Sequence, residues 1–149
     1  MTLTIDNNKS DTTFEDIVSH ILFLDNVMLS VKSSRAVCEV NTEMNLRLHI
    51  TDQYATIGDE IRPWHIHVNL LEAKEASSVL ENDTNGRNSY SVRFFDSKAN
   101  LVLRAYFVRM YDSSNTLIQQ RRLAYEKIFA KYGKKQNLPL RAAQQIEHH

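Results

Sequence analysis

The amino-acid sequence predicts an α+β domain with a meandering antiparallel sheet, a short N-terminal helix and a long C-terminal helix. A helical stripe of apolar residues lies near the start of the chain, period-two alternation recurs from residue 26 to residue 108, and a second helical stripe follows at residues 114–132. This order of elements is typical of a sheet with helices on one face. The other face then needs a cover, a ligand or a partner subunit.

The length and composition of the chain are those of one soluble globular domain. It has 149 residues, of which 42% are hydrophobic and 24% are charged, and a chain of this size can bury a core without disulfides or metals. Residues 1–10 are polar and are expected to fray. Residues 11–133 are expected to form the domain, and residues 134–149 a basic polar tail.

The compartment is predicted from what the sequence lacks. Cys38 is the single cysteine, so no disulfide can form within the chain. The N-terminus has neither the basic region nor the apolar core of a secretion signal. No apolar run approaches the roughly 20 residues that span a membrane. We therefore expect a cytoplasmic protein that has no membrane partner.

Charge is unevenly distributed although the net charge is zero. Residues 1–100 hold nine lysines and arginines against fifteen acids, whereas residues 101–149 hold nine against three. A basic surface attracts phosphate, propionate or nucleic acid. We interpret most of this basic end as a solvated helix face and expect no nucleic-acid partner.

The first helix is expected to begin after Ser10 or Asp11, either of which can cap it. Glu15 and Asp16 would lie in its first turn, where the helix dipole favours acids. The apolar stripe that identifies this helix consists of Phe14, Ile17, Val18, Ile21 and Leu22.

The apolar period then changes to two. Alternation over residues 26–50 predicts two or three antiparallel strands. Residues 51–63 are expected to be a loop, because Gly58 and Pro63 break the pattern. A strand follows at Trp64–Leu71.

After this strand the sequence pattern that indicates strands becomes weaker and then becomes clear again. Ser77–Glu81 is expected to be a weak strand, and Asn85-Gly86 is the strongest local turn signal. Two well-defined strands follow, whose apolar faces consist of Tyr90, Val92 and Phe94 and of Leu101, Leu103, Ala105 and Phe107. Arg104 and Tyr106 lie on the opposite face of the second strand. A cation on a partly apolar surface suits an amphiphilic anion or a tyrosine–arginine pair.

The last long element is predicted to be a helix from Ser114 to Tyr132. Ser113 or Ser114 would cap it, and Gly133 suits the left-handed conformation that ends many helices. Its apolar stripe consists of Leu117, Ala124, Tyr125, Ile128, Phe129 and Tyr132.

The segment Trp64–Leu71 has two histidines that a strand would place on one face. Side chains two residues apart in a strand share a face, so His65 and His67 point the same way. In one interpretation they join His49 as three ligands of zinc or iron with an open fourth position. In another, one of them is the axial ligand of a haem that is held by apolar residues and cations of neighbouring strands.

The segment from Arg87 to Gly133 resembles the C-terminal part of the cytosolic haem-utilisation carriers of the HutX/ChuX-like family. Each half of the HemS-like haem-degrading proteins is related to this family. The shared pattern is a strand ending in Phe-Phe-Asp or Leu-Phe-Asp, a short turn, a strand with a basic residue, and a final helix. In this chain the four parts are Phe94–Asp96, Ser97–Asn100, Leu101–Arg109 and Ser114–Tyr132.

A second part of the resemblance lies upstream. The strand Ile66-His67-Val68, followed by Glu72-Ala73, is similar to the histidine-bearing strand of the family. The resemblance therefore covers about residues 62–132.

The resemblance implies a split-barrel-like antiparallel sheet with helices, in a usually dimeric cytoplasmic protein that binds or carries haem. His67 matches the family's strand histidine, which makes it the candidate axial ligand of the haem iron. Candidates for other contacts in the pocket are His65, Arg104 and Tyr106.

The carriers of this family also use a histidine on an earlier strand. Phe23 aligns near that position, and His20 lies one helical turn earlier. A carrier matches the chain better than a haem-degrading enzyme does, because the degrading relatives are tandem repeats of a unit present here once. Two alternatives stay open: a zinc- or iron-binding domain that uses His49 and His65 together with His67, and a ligand-free dimerisation or interaction module of the same fold.

Overall fold

The computed structural model of the protein describes residues 12–42, 46–59, 61, 63–83 and 85–139. Within these residues there are two helices and nine strands, and the strands form two antiparallel sheets. This confirms the predicted α+β class. The expected fraying of residues 1–10 lies outside the described residues. The elements in chain order are α1 (Phe14–Leu22), β1 (Val27–Lys32), β2 (Val37–Asn41), β3 (Leu46–Thr51), β4 (Tyr54–Asp59), β5 (His65–Asn69), β6 (Glu75–Asn82), β7 (Asn88–Phe95), β8 (Leu101–Phe107), α2 (Gln119–Tyr132) and β9 (Lys135–Asn137).

The larger sheet has six strands in the order β2-β1-β8-β7-β6-β9. Both helices pack against one of its faces. The rings of Phe14 in α1 and Phe94 in β7 are 4.9 Å apart, and the ring of Tyr125 in α2 lies 5.1 Å from those of Tyr90 and Phe107. The core therefore lies between this face and the helices, and we call the opposite face of the six-stranded sheet the outer face.

The smaller sheet consists of β3, β4 and β5. On one side, Ala55, Ile57 and Val68 are buried and join the same core. The strand β3 also contacts α1. The described strands form two open sheets and no closed barrel.

The first helix begins as the sequence predicts but has a different cap. Thr13 is the N-cap residue: its side chain accepts a hydrogen bond from the backbone N–H of Asp16 at 3.2 Å, and its own N–H donates to the Asp16 carboxylate at 2.9 Å. This reciprocal pair satisfies two otherwise unpaired donors, so it outcompetes the expected caps. Those two residues, Ser10 and Asp11, lie outside the described residues.

The prediction of a loop over residues 51–63 is wrong, because β4 occupies Tyr54–Asp59. Ala55 and Ile57 are fully buried and alternate with side chains on the exposed side. Gly58 does not break this strand, because a glycine is tolerated where a neighbouring side chain approaches closely, as His65 does here. The alternation of Ala55 and Ile57 was the signal that could have identified the strand.

The last helix starts at Gln119, five residues later than predicted. The Asp112 carboxylate accepts hydrogen bonds from the backbone N–H groups of Ser114 and Thr116, at 2.8 and 3.0 Å. Such a side-chain turn competes with helix formation. The helix ends at Tyr132, and Gly133 follows it with a φ of 81° and a ψ of −178°. A glycine suits this position as predicted, but its conformation is an extended one that is open to glycine rather than the left-handed helical one expected there.

Residues 134–149 are not all a tail. Lys135–Asn137 forms β9, which pairs with β6 and completes the larger sheet, and Leu138 is buried. Residues 140–149 lie outside the described part of the chain. Neither described helix is long and apolar enough to cross a membrane.

Candidate functional site

The exposed side of the smaller sheet carries three histidines, and we call this side the histidine face. His49 in β3 and His67 in β5 both pair with Thr56 in β4, so the three residues form one row across the sheet. His65 lies two residues before His67 on the same strand face, and all three histidines are exposed. The predicted alternation of this strand is therefore confirmed.

His67 is held by a neighbour on the adjacent strand. Its Nδ1 atom lies 2.9 Å from the Oγ1 atom of Thr56. In the tautomer that carries its proton on Nδ1, the ring donates this hydrogen bond and keeps the lone pair of Nε2. Histidines that ligate metals are commonly oriented by such a bond from the second nitrogen.

His65 occupies the next row, which also contains Gly58 and Arg47. The ring centroids of His65 and His67 are 5.4 Å apart. A Cβ atom at Gly58 would lie only 3.0 Å from Cδ2 of His65. The glycine therefore lets the imidazole of His65 lie close against the neighbouring strand.

The histidine face does not support the zinc or iron alternative. No group of three His, Cys, Asp or Glu side chains in the described residues could hold a metal ion. His49 and His67 lie on strands separated by β4, which places their backbones about 10 Å apart. The spacing in the sequence could not reveal that a strand lies between them.

Arg104 and Tyr106 lie on the outer face of the six-stranded sheet. The guanidinium of Arg104 lies over the Tyr106 ring, 4.8 Å from its centroid, and its Nη2 atom donates to Ser30 Oγ at 3.3 Å. The tyrosine–arginine pair considered for this strand is thus present. The Nε atom of Arg104 is buried and has no hydrogen-bond partner in the described part of the chain. Because the pair lies on a different sheet, the structure does not bring it together with His65 and His67.

A groove lies where α1, β3 and the C-terminal end of α2 meet, and we call it the α1 groove. It consists of two adjoining cavities of about 400 and 610 Å³ that share Ser19 and Phe23. Leu46 and Leu48 line the first cavity and Lys131 lines the second. Phe23 is 87% exposed and follows α1 directly, so the residue aligned with the family's earlier histidine is not in a strand.

His20 also lines the α1 groove. Its Nδ1 atom lies 3.4 Å from the hydroxyl of Tyr132, which donates to the backbone carbonyl of Asp16 at 3.3 Å. Burial lowers the pKa of His20 below its usual range, and the positive charges of Lys131 and Lys127 lower it further. Both effects favour the neutral form of the His20 imidazole. The sequence placed His20 at a helix end but gave no sign of Tyr132, which lies 112 residues away.

A protein-family model matches residues 15–133. No curated protein matches the chain in sequence. Among solved structures, the fold is similar to that of the heme-binding protein ChuX, with 14% identity and a TM-score of 0.64 over 79% of this chain and 71% of that chain.

Two longer proteins contain a similar unit. Holo-PhuS, a heme-binding protein from Pseudomonas aeruginosa, is 15% identical with a TM-score of 0.53 over 74% of this chain and 30% of that chain. ChuS, an E. coli heme oxygenase, is 13% identical with a TM-score of 0.56 over 78% of this chain and 35% of that chain. This chain therefore spans about a third of either protein. These structural likenesses concern the fold. The family model, in contrast, covers most of the chain. The chain therefore belongs to the ChuX-like family of haem-utilisation proteins.

Proposed function

We propose that the protein binds haem, as a cytoplasmic carrier, with His67 as an axial ligand of the iron. The proposal rests on membership of the ChuX-like family and on the haem-binding members among its structural neighbours. The lone, exposed Cys38 suits a reducing compartment.

The observation that carries the proposal is the hydrogen bond between His67 and Thr56. A ligating imidazole must be neutral, offer one nitrogen to the metal and be held in orientation by the other. His67 meets the last requirement through its Nδ1 atom, 2.9 Å from Thr56 Oγ1. Its exposure leaves the ring accessible to a ligand as large as haem.

Other residues on the histidine face fit the remaining parts of a haem. Tyr54, which is 43% exposed, adds an aromatic surface beside Thr56, and Arg47 adds a cation that suits a propionate. His65 lies beside His67 on the same face. Haem iron, when bound, would be ligated by the imidazole, while these residues bind and orient the macrocycle. Such an open surface suits a carrier, because the ligand must leave as well as bind.

The test is a haem titration of the purified protein, followed by visible absorption. We expect a saturable change of the main absorption band with a stoichiometry of one haem per chain. A band that grows without saturation, as haem adsorbed nonspecifically would produce, contradicts the proposal.

Replacing Thr56 with valine tests the orientation of His67. The substitution keeps the β-branched shape and removes the oxygen that accepts from Nδ1. We expect about a tenfold loss of haem affinity, as is common when such an orienting partner is removed. Thr51→Val on the same exposed face is the matched control and should leave the affinity unchanged. Equal affinities for Thr56→Val and the wild type would remove this hydrogen bond from the binding mechanism.

We propose further that the protein is a homodimer formed through the outer face. The polar contacts of Arg93 and Arg104 stay within the sheet, and no ion pair joins Arg104 to a carboxylate among the described residues. A buried guanidinium donor without a partner is unfavourable. A second copy that covers this face can supply the missing acceptor.

The charge pattern of the outer face is self-complementary. Glu39 in β2 and Arg104 in β8 both pair with Ser30 in β1, one from each side. If two copies pack about a two-fold axis that runs along β1, Glu39 of each copy faces Arg104 of the other. Ser30 would then lie at the centre of the interface.

Reversing the charge of Arg104 tests this arrangement. Arg104→Glu would face Glu39 of the partner, and because two opposed like charges are unfavourable, we expect dimer affinity to fall at least about tenfold. Sedimentation equilibrium measures this, with circular dichroism as a check on folding. Lys98→Glu, in an exposed turn, is the control, and the double variant Glu39→Arg/Arg104→Glu should restore the dimer. A wild-type monomer, or an unchanged dimer in Arg104→Glu, would refute the proposed interface.

A further inference from the structure

The α1 groove holds more positive charge than the described residues neutralise. Lys131 lies over the Tyr132 ring, 5.4 Å from its centroid, and has no ion pair within the described part of the chain. Lys127 is close enough to His20 to lower the pKa of that histidine. The Asp16 carboxylate, which is also at the groove, already accepts the hydrogen bond from Thr13. Arg47 lines the adjoining cavity, so the described lining of the whole groove holds two cations, Lys131 and Arg47, against the one carboxylate of Asp16.

The adjoining cavity is apolar on several sides. Its lining includes Leu22, Leu46 and Leu48. Phe23 lines both cavities and is 87% exposed, so it offers an aromatic surface to a ligand in either of them. A ligand with a short apolar body and one acidic group would cover Phe23 and place its charge near Lys131.

The hydrogen bonds of His20 determine which of its ring nitrogens would take up a proton when such a ligand binds. Tyr132 donates its hydroxyl hydrogen to the Asp16 carbonyl, so its oxygen is free to accept from Nδ1–H of His20. An added proton then enters at Nε2 and converts this nitrogen from an acceptor into a donor. The charged groups that face His20 are Asp16 from α1 and Lys127 and Lys131 from α2, and Arg47 of β3 lines the adjoining cavity.

We propose that the α1 groove binds an organic anion with a short apolar body, and that binding is coupled to uptake of one proton by His20. In the free protein the two lysines oppose protonation of His20. A bound anion offsets their charge and favours the imidazolium, which then donates a hydrogen bond to the ligand. The groove shares Arg47 with the histidine face but includes neither His67 nor Thr56 in its lining, so failure of this proposal leaves the haem proposal standing, and the reverse also holds.

The coupling predicts the sign of the pH dependence. Binding raises the pKa of His20, so affinity is level above the pKa of the complex and rises as the pH falls from there to the pKa of the free protein. It is level again at lower pH. Each unit by which binding raises the pKa corresponds to about a tenfold gain in affinity.

The experiment uses octanesulfonate as the probe, because its acid group stays ionised throughout the range. The NMR signal of the His20 ring, assigned with His20→Gln, is followed against pH with and without saturating probe. Affinity is measured by calorimetry at pH 5.5 and pH 7.5. We expect saturable binding, a raised pKa of His20 in the complex and tighter binding at pH 5.5.

Two lysine variants and a second anion, sulfate, are compared with the wild type and with octanesulfonate. Lys131→Gln removes an exposed ammonium and should weaken binding about three- to fivefold. Lys32→Gln removes a charge from the exposed end of β1 and should not change it. Sulfate should bind far more weakly than octanesulfonate. An unchanged pKa of His20 at saturation, equal effects of the two lysine variants, or equal binding of sulfate would each overturn the proposal.

Discussion

Replacing His67 with alanine is expected to weaken haem binding by about 100-fold or more and to abolish the saturable absorption change. Removing an axial ligand should cost more than removing the residue that orients it, for which a loss of about tenfold is expected. The fold should survive, because His67 is exposed and its side chain contributes nothing to the core. Haem titration of the variant and the wild type side by side measures the difference.

Two other histidines serve as controls for His67. His49→Ala removes an exposed imidazole from the same row of the histidine face and should leave haem affinity unchanged. His20→Ala removes the imidazole of the α1 groove, whose described lining does not include His67. Loss of binding in His20→Ala with full binding in His67→Ala would move the haem site to the groove and contradict the assignment of His67.

The part of the candidate site that was predictable from the sequence is the part that depends on one strand. Period-two alternation alone places His65 and His67 on one face, opposite the buried Val68. The partner of His67 could not be predicted in this way. Thr56 lies in a segment whose strand was missed, and its position opposite His67 depends on the register between β4 and β5.

The two wrong predictions about the fold have a common cause. The loop over residues 51–63 is predicted from breaker residues such as Gly58 and Pro63, and the start of the last helix from a cap at Ser113 or Ser114. In both places the interactions of several residues decide the structure: the burial of Ala55 and Ile57 forms a strand, and the Asp112 carboxylate closes a turn. Local propensity is outweighed by packing and by side-chain hydrogen bonds.

The helical and strand stripes, in contrast, identified most of the core, although Phe129 of the stripe predicted for the last helix is 43% exposed. The stripe of α1 and the apolar face of β7 were each predicted from their own period. They meet in the structure at Phe14 and Phe94, whose rings are 4.9 Å apart. Phe94 is fully buried. The Phe-Phe-Asp segment that carries the resemblance to the family therefore contains a residue whose role is packing.

Replacing Phe94 with alanine is expected to lower the free energy of unfolding by about 3–5 kcal/mol. The loss combines the hydrophobic transfer energy of a buried ring with the cavity left beneath α1, and the aromatic contact with Phe14 is lost as well. Urea unfolding followed by circular dichroism measures it. Phe23→Ala is the matched control, and since that side chain is 87% exposed, its effect should stay within about 0.5 kcal/mol. Comparable losses in the two variants would mean that α1 does not pack on the sheet through Phe94.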